Sequence, residues 1–347
     1  MDVYHFPMCP KTVGTSSKAF NLDRFRSKGR APLSSIPTNS QSTRTGTALI
    51  RRTTHQRPQP REPVAPPPPP AQHTRAEFNF VDTRVGDPRD VQDVTEYEAI
   101  IYRSMRQEEL ERPIPAFIQR EITLNDRNMA IDALDRIHYK QDITTEALYR
   151  AIGILDRVLG TQQIRKSELN LMASACLLIA SKIEDIYPAR SCDFVTLSNN
   201  AFTQNELFEA EIKVLNIIGF YTEFPTQLFF LTHLMRISGQ TQKTVLLARY
   251  LIEITTSNEQ CICMKPSLVA SAAVLLTRLL TNEENIWPSV LEGYTQYRQG
   301  DLLPCVRIMH SMLLQGDRQE TRFMRRKYGS EHFLAVAFTP VPERLPF

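Results

Sequence analysis

An all-α fold is what this sequence predicts: two five-helix bundles behind an N-terminal helix and a disordered tail. Three observations predict it. Residues 1–92 are rich in Ser, Thr, Pro and Arg and show neither helical nor strand periodicity. From Tyr97 onward apolar residues recur at helical spacing. The apolar run Leu171–Ala180 returns about 96 positions later as Leu268–Thr277. A period that long indicates a duplicated domain rather than a solenoid. Strand signals are weak throughout, with no Asn-Gly hairpin and little sustained alternation.

The tail, residues 1–92, buries too little apolar surface to offset its ordering entropy. Its run Pro66–Pro70 reads as a short stiff spacer in preference to a ligand for an SH3-type groove. Residues 1–75 hold twelve basic and three acidic side chains, so the rest of the chain is net acidic. The body shows no basic stripe, which argues against direct nucleic-acid binding. Between Lys28 and Lys140 there is no lysine.

The N-terminal helix, within 93–115, is read from Tyr97, Ile101, Met105 and Leu110, and Pro113 stops it. Asn125 or Asp126 can cap the next helix, which runs to His138. Thr144 or Thr145 caps the one that ends at Leu159. Ser167 opens a third through Lys182, apolar or small on every face and therefore central to its bundle. A short fourth lies at Asp193–Leu197. Thr203 with Glu206 forms a capping box for the fifth, which ends near Gly219. Pro225 separates this block from the second, which repeats five helices between Thr226 and Leu314.

Six cysteines are scattered with no CxxC and no Cys/His spacing suited to zinc, so no metal is expected. Cys176 sits in an apolar run and reads as a small core residue. Free thiols suit a reducing compartment. No signal-peptide pattern opens the chain, and Leu171–Ala180 and Leu268–Leu280 are too short to span a bilayer. An intracellular, soluble protein of nucleus and cytoplasm, without membrane contact, is the expectation. There is no GxGxxG, GxxxxGK[ST], HExxH or kinase signature set. No catalytic residue and no cofactor is therefore expected, and the chain is read as a non-enzyme.

In the tail, Arg30-Ala-Pro-Leu33-Ser-Ser-Ile36-Pro-Thr-Asn39 resembles a destruction box, the RxxLxxIxN signal read by the anaphase-promoting ubiquitin ligase. Such a peptide offers a guanidinium for an acidic pocket, apolar anchors for a groove and an amide for hydrogen bonds.

From Thr95 to Phe338 the chain resembles a B-type mitotic cyclin. Gly153-Ile-Leu-Asp-Arg-Val-Leu159 and Ala180-Ser-Lys-Ile-Glu-Asp-Ile-Tyr-Pro188 are similar to the first cyclin box. Ala248-Arg-Tyr-Leu-Ile-Glu253, Lys265-Pro-Ser-Leu-Val-Ala-Ser-Ala-Ala273 and Trp287-Pro-Ser-Val-Leu-Glu-Gly-Tyr294 resemble the second. Asp301-Leu-Leu-Pro304 and Tyr328-Gly-Ser-Glu-His-Phe-Leu-Ala-Val-Ala337 resemble the C-terminal end. The resemblance implies tandem cyclin folds: a first, kinase-binding box at 120–222 and a second at 223–340.

It further implies that Arg127 and Asp156 form a structural ion pair between the first two box helices, and that Leu171 is a core position. It implies that Lys182 and Glu211 hold the backbone of a cyclin-dependent protein kinase. Further contacts would be Tyr97, Ile101, Ile179, Ile183, Glu184, Leu215 and Phe220. Without the family, Lys182 and Glu211 read as a surface salt bridge worth about 0–1 kcal/mol. Arg278 falls where Lys182 would be and Arg307 near the place of Glu211, so the pair is not repeated.

One stretch departs from the family. Where many cyclins carry a substrate-docking MRAILxDW, this chain has Asp126-Arg-Asn-Met-Ala-Ile-Asp-Ala133. The three apolar docking positions become Asp126, Ala130 and Ala133, and weak or absent binding of Arg-x-Leu motifs is expected. The implied function is a regulatory subunit that activates its kinase in a heterodimer, controls the G2/M transition and mitosis, and is removed by ubiquitin-dependent proteolysis. The alternative is a transcription-type cyclin or a cyclin-fold binding module.

Overall fold

The computed structural model describes residues 95–238, 241–316 and 322–346. The tail, with Arg30, Leu33, Ile36 and Asn39, lies outside them. Among the described residues there is no strand, in keeping with the all-α expectation. Helix α1 is Thr95–Glu111. The first bundle follows as α2 (Leu124–Gln141), α3 (Thr145–Thr161), α4 (Leu169–Glu184), α5 (Ser191–Leu197) and α6 (Gln204–Ile217). The second comprises α7 (Gln227–Ile237), α8 (Gln242–Thr255), the short α9 (Glu259–Ile262), α10 (Pro266–Leu280), α11 (Ser289–Thr295) and α12 (Gln299–Gln315). Helix α13, Arg322–Tyr328, comes after it.

Local chemistry sets the helix starts. The cap of α2 is Thr123, not Asn125 or Asp126. Its hydroxyl accepts from Asp126 N at 3.2 Å, and Asp126 Oδ2 accepts from Thr123 N at 2.9 Å. Asp126 is therefore the third-position acid of the box, and the reciprocal bonds satisfy two orphan donors. Thr144 caps α3 through Ala147 N at 3.3 Å. Thr203 and Glu206 form the capping box of α6. Lys166–Glu168 form a 3₁₀ turn, so α4 begins at Leu169 rather than Ser167.

Helix α4 is wrapped by its bundle. Residues Met172–Ser181 are buried without a break, as packing on α2, α3 and α6 requires. The same unbroken burial recurs at Val269–Arg278 of α10. The two runs match at a separation of 97 positions, which corrects the register read from sequence. Arg278 stands in the place of Ser181, and Leu279 in that of Lys182. Arg278 is accordingly buried, donates to the Asn285 carbonyl at 2.9 Å and faces Glu283 at 3.5 Å.

Helix α1 belongs to the second core. Tyr102 is fully buried there, edge-on to Phe230 with ring centres 5.4 Å apart. Glu109 caps α10 from outside: it accepts from Ser267 N at 3.1 Å and from Ser267 Oγ at 2.6 Å. A carboxylate there meets the positive end of the helix dipole. Arg106 pairs with Glu109 at 2.5 Å and donates to Tyr297 Oη at 2.8 Å. One residue before Glu109, α1 also touches the segment that follows α6, where Tyr221 Oη donates to Glu108 at 2.6 Å.

Candidate functional site

The candidate site begins where α4 leaves the core. Burial stops at Ser181, so Lys182 emerges in the last helical turn and runs its stem along the bundle edge. α6 packs alongside and presents Glu211. Lys182 Nζ lies 2.5 Å from Glu211 Oε1, with the two side chains 45 % and 14 % exposed. The ammonium has further donors and the carboxylate further lone pairs than this one contact uses. The pair is thus available to an incoming backbone.

Around it the structure distributes the remaining sequence-expected residues unequally. Ile183 is exposed on the same turn. Phe220 is 66 % exposed: it and Gly219 both adopt left-handed backbone, with φ of 59° and 60°, at the turn that ends α6. Tyr97 is exposed on α1. Ile101 is half-buried and faces a cavity of about 590 Å³ whose walls include Ile183, Phe224, Phe229 and His233. Ile101 and Ile183, far apart in sequence, are thereby brought together.

Two of the expected residues are engaged within the chain. Ile179 is a core residue, 4 % exposed, because it lies two residues before the buried run ends. Glu184 is engaged internally: it accepts from Arg150 Nε, whose Nη1 donates to the Thr222 carbonyl at 2.5 Å. That carboxylate braces α4 against α3 and the segment after α6. Leu215 is partly buried against the first core.

The structure also shows residues that sequence reasoning missed. Ile186 and Tyr187, in the turn after α4, are each 90 % exposed. On α6, Phe208 and Ile212 are exposed at 41 % and 61 %. Phe208, Glu211, Ile212 and Leu215 fall at i, i+3, i+4 and i+7 and form one stripe. That spacing was legible. The exposure of Ile186 and Tyr187 was not, since two apolar residues before a proline signal nothing about burial.

Arg127 and Asp156 meet across α2 and α3. Nε and Nη2 reach the two carboxylate oxygens at 2.6 and 2.7 Å, both groups buried. On the outer face of α2, Asp126 pairs with Lys166 at 2.8 Å. Hydrogen bonds from Lys166 and then from Thr123 hold its carboxyl down to about 2. Ala130 is 1 % exposed while Met129 is 59 % exposed. The surface where apolar docking side chains would stand thus carries an ion pair and one methionine.

Among the described residues no group of three or more His, Cys, Asp or Glu could hold a metal ion. No helix among them is long and apolar enough to cross a membrane.

Comparison with known proteins gives two consecutive family matches: the cyclin N-terminal domain over residues 100–223 and the cyclin C-terminal domain over 225–342. Cyclin-A1 of Mus musculus is 30 % identical over 291 residues, covering 79 % of this chain and 69 % of that protein. Cyclin-A3-2 of Arabidopsis thaliana is 31 % identical over 278 residues, covering 77 % and 74 %. Among solved structures, a viral cyclin from herpesvirus saimiri aligns with a TM-score of 0.54 at 23 % identity, over 61 % of this chain and 96 % of that one.

Proposed function

The chain belongs to the cyclin family, and from that premise we propose that it is the regulatory subunit of a cyclin-dependent Ser/Thr protein kinase. One observation carries the reading: a solvent-reachable Lys182–Glu211 pair with Ile183, Ile212 and Phe220 exposed on the same elements and the turn beside them. Apolar side chains that desolvate, beside polar groups that orient, are what a protein interface needs. In this reading Lys182 and Glu211 bond the backbone around the kinase C-helix, Ile183 and Phe220 pack against it, and Tyr97 and Ile101 of α1 add a second contact. The wedge carries the helix inward and completes the kinase's own Lys–Glu pair. The chain itself performs no chemistry.

Cell-cycle control at G2/M and mitosis, in nucleus and cytoplasm, is the proposed setting. The relatives carry A-type names, so an A-type assignment replaces the B-type expectation. Removal through Arg30, Leu33, Ile36 and Asn39 by the anaphase-promoting ligase completes the proposal.

The test is recovery of a kinase from synchronised cells, with histone phosphorylation as readout, comparing wild type with Lys182→Ala plus Glu211→Ala. Loss of kinase and activity is expected in the double variant. Unchanged recovery would remove the site. Recovery of a polymerase-tail kinase at constant level would favour a transcription-type cyclin instead.

A further inference from the structure

Two carboxylates and one ammonium meet where α2, α8 and α13 come together. Asp135, Glu253 and Lys327 are 0, 1 and 6 % exposed. Lys327 Nζ is 2.7 Å from Asp135 Oδ1 and 2.5 Å from Glu253 Oε1. Tyr328 Oη donates to Glu253 Oε2 at 2.8 Å. From α2, His138 Nδ1 approaches Asp135 Oδ1 at 3.5 Å. From α3 comes the buried hydroxyl of Tyr149, on which Glu146 of α3 and Arg249 of α8 also act through space. Asp135 Oδ2, His138 Nδ1 and Tyr149 Oη have no hydrogen-bond partner.

The three charged residues come from the first bundle, the second bundle and the C-terminal helix. With both carboxylates ionised and the His138 ring uncharged, the junction holds one negative charge too many in a place closed to water. Such a charge is costly unless it is paired or neutralised. One bound proton removes the excess and leaves Lys327 balanced by the other carboxylate.

We propose that this junction is a proton-linked clasp. With one proton on the Asp135–Glu253 pair, α13 fastens the two bundles together. As that proton leaves with rising pH, the fastening loosens. The environment places the proton on Glu253. Burial pushes its carboxyl up to about 7, against the opposing pull of Lys327. At Asp135 burial is outweighed by His138 and Lys327, which hold the carboxyl low. The sign follows. Glu253 binds its proton more tightly folded than unfolded, so its contribution is full below the ordinary carboxylate range and is lost as pH rises through about 7.

The test is thermal unfolding of the full chain from about pH 5.5 to about pH 8, with hydrogen exchange of the α13 amides followed after correction for intrinsic rates. The wild-type melting temperature should fall by about 4 °C or more across that range, with α13 losing protection first. In Glu253→Gln this part of the slope should vanish. In Asp135→Asn the competing charge is gone, so the fall should move to lower pH. Should Glu253→Gln fail to fold, Asp135→Asn decides alone. A wild-type slope retained in the folded variants, or α13 protection independent of pH, would overturn the clasp.

Discussion

Arg127 does more than hold Asp156. Besides its two bonds to that carboxylate, at 2.6 and 2.7 Å, it donates Nη1 to the Thr256 carbonyl at the end of α8, 2.7 Å away. Its neighbour Asn128 donates to the Ser257 carbonyl at 2.9 Å. One buried guanidinium therefore joins α2 to α3 and the first bundle to the second. Arg127→Ala leaves Asp156 buried and unpaired, which costs about 3–5 kcal/mol. Thermal unfolding should show that loss. Arg127→Lys should recover little of it, because an ammonium cannot reproduce the planar fork.

The Lys182–Glu211 pair should behave oppositely. It is half in solvent, so Lys182→Ala with Glu211→Ala should change stability by no more than about 1 kcal/mol. Kinase affinity should fall at least about tenfold, about 1.4 kcal/mol, by calorimetry. Lost binding with an unaltered melting curve is the expected combination.

Ile186 and Tyr187 make few intramolecular contacts at 90 % exposure. Replacing both by Ser should leave stability within about 0.5 kcal/mol. Beside the Ile183 surface, they should still be needed for kinase recovery. Undiminished recovery would exclude them from the interface.

The outer face of α2 should not bind Arg-x-Leu peptides. The Asp126–Lys166 pair and the near-complete burial of Ala130 leave little apolar area there. Anisotropy titration with such a peptide should show no saturation in the micromolar range, and micromolar binding would refute this.

Thiol labelling should separate the described cysteines. Cys263 is exposed and should react at once. Cys176 is fully buried, and burial pushes its thiol well up. It should react only after unfolding.

Much of this architecture was legible in the chain. Thr203 with Glu206 announced a helix start, and Leu171–Ala180 with its echo announced duplication, because capping and helical burial are set by neighbours a few residues away. Register was harder. Arg278 reads as the counterpart of Lys182 only until the burial patterns are laid together, which shift it one position into the core. Nor does the sequence show that Ile179 is packed inside or that Glu184 is bound to Arg150.

The amino-acid sequence by itself determined an all-α duplicated body and the helices that bring Lys182 and Glu211 to one edge. Only the tertiary structure decided which charges are shared between the bundles. Lys327 meets Asp135 across 192 residues, and Arg127 meets Thr256 across 129. No local pattern encodes such pairs. They exist because packing removes water from the junction and leaves each buried charge only the partners that other helices bring.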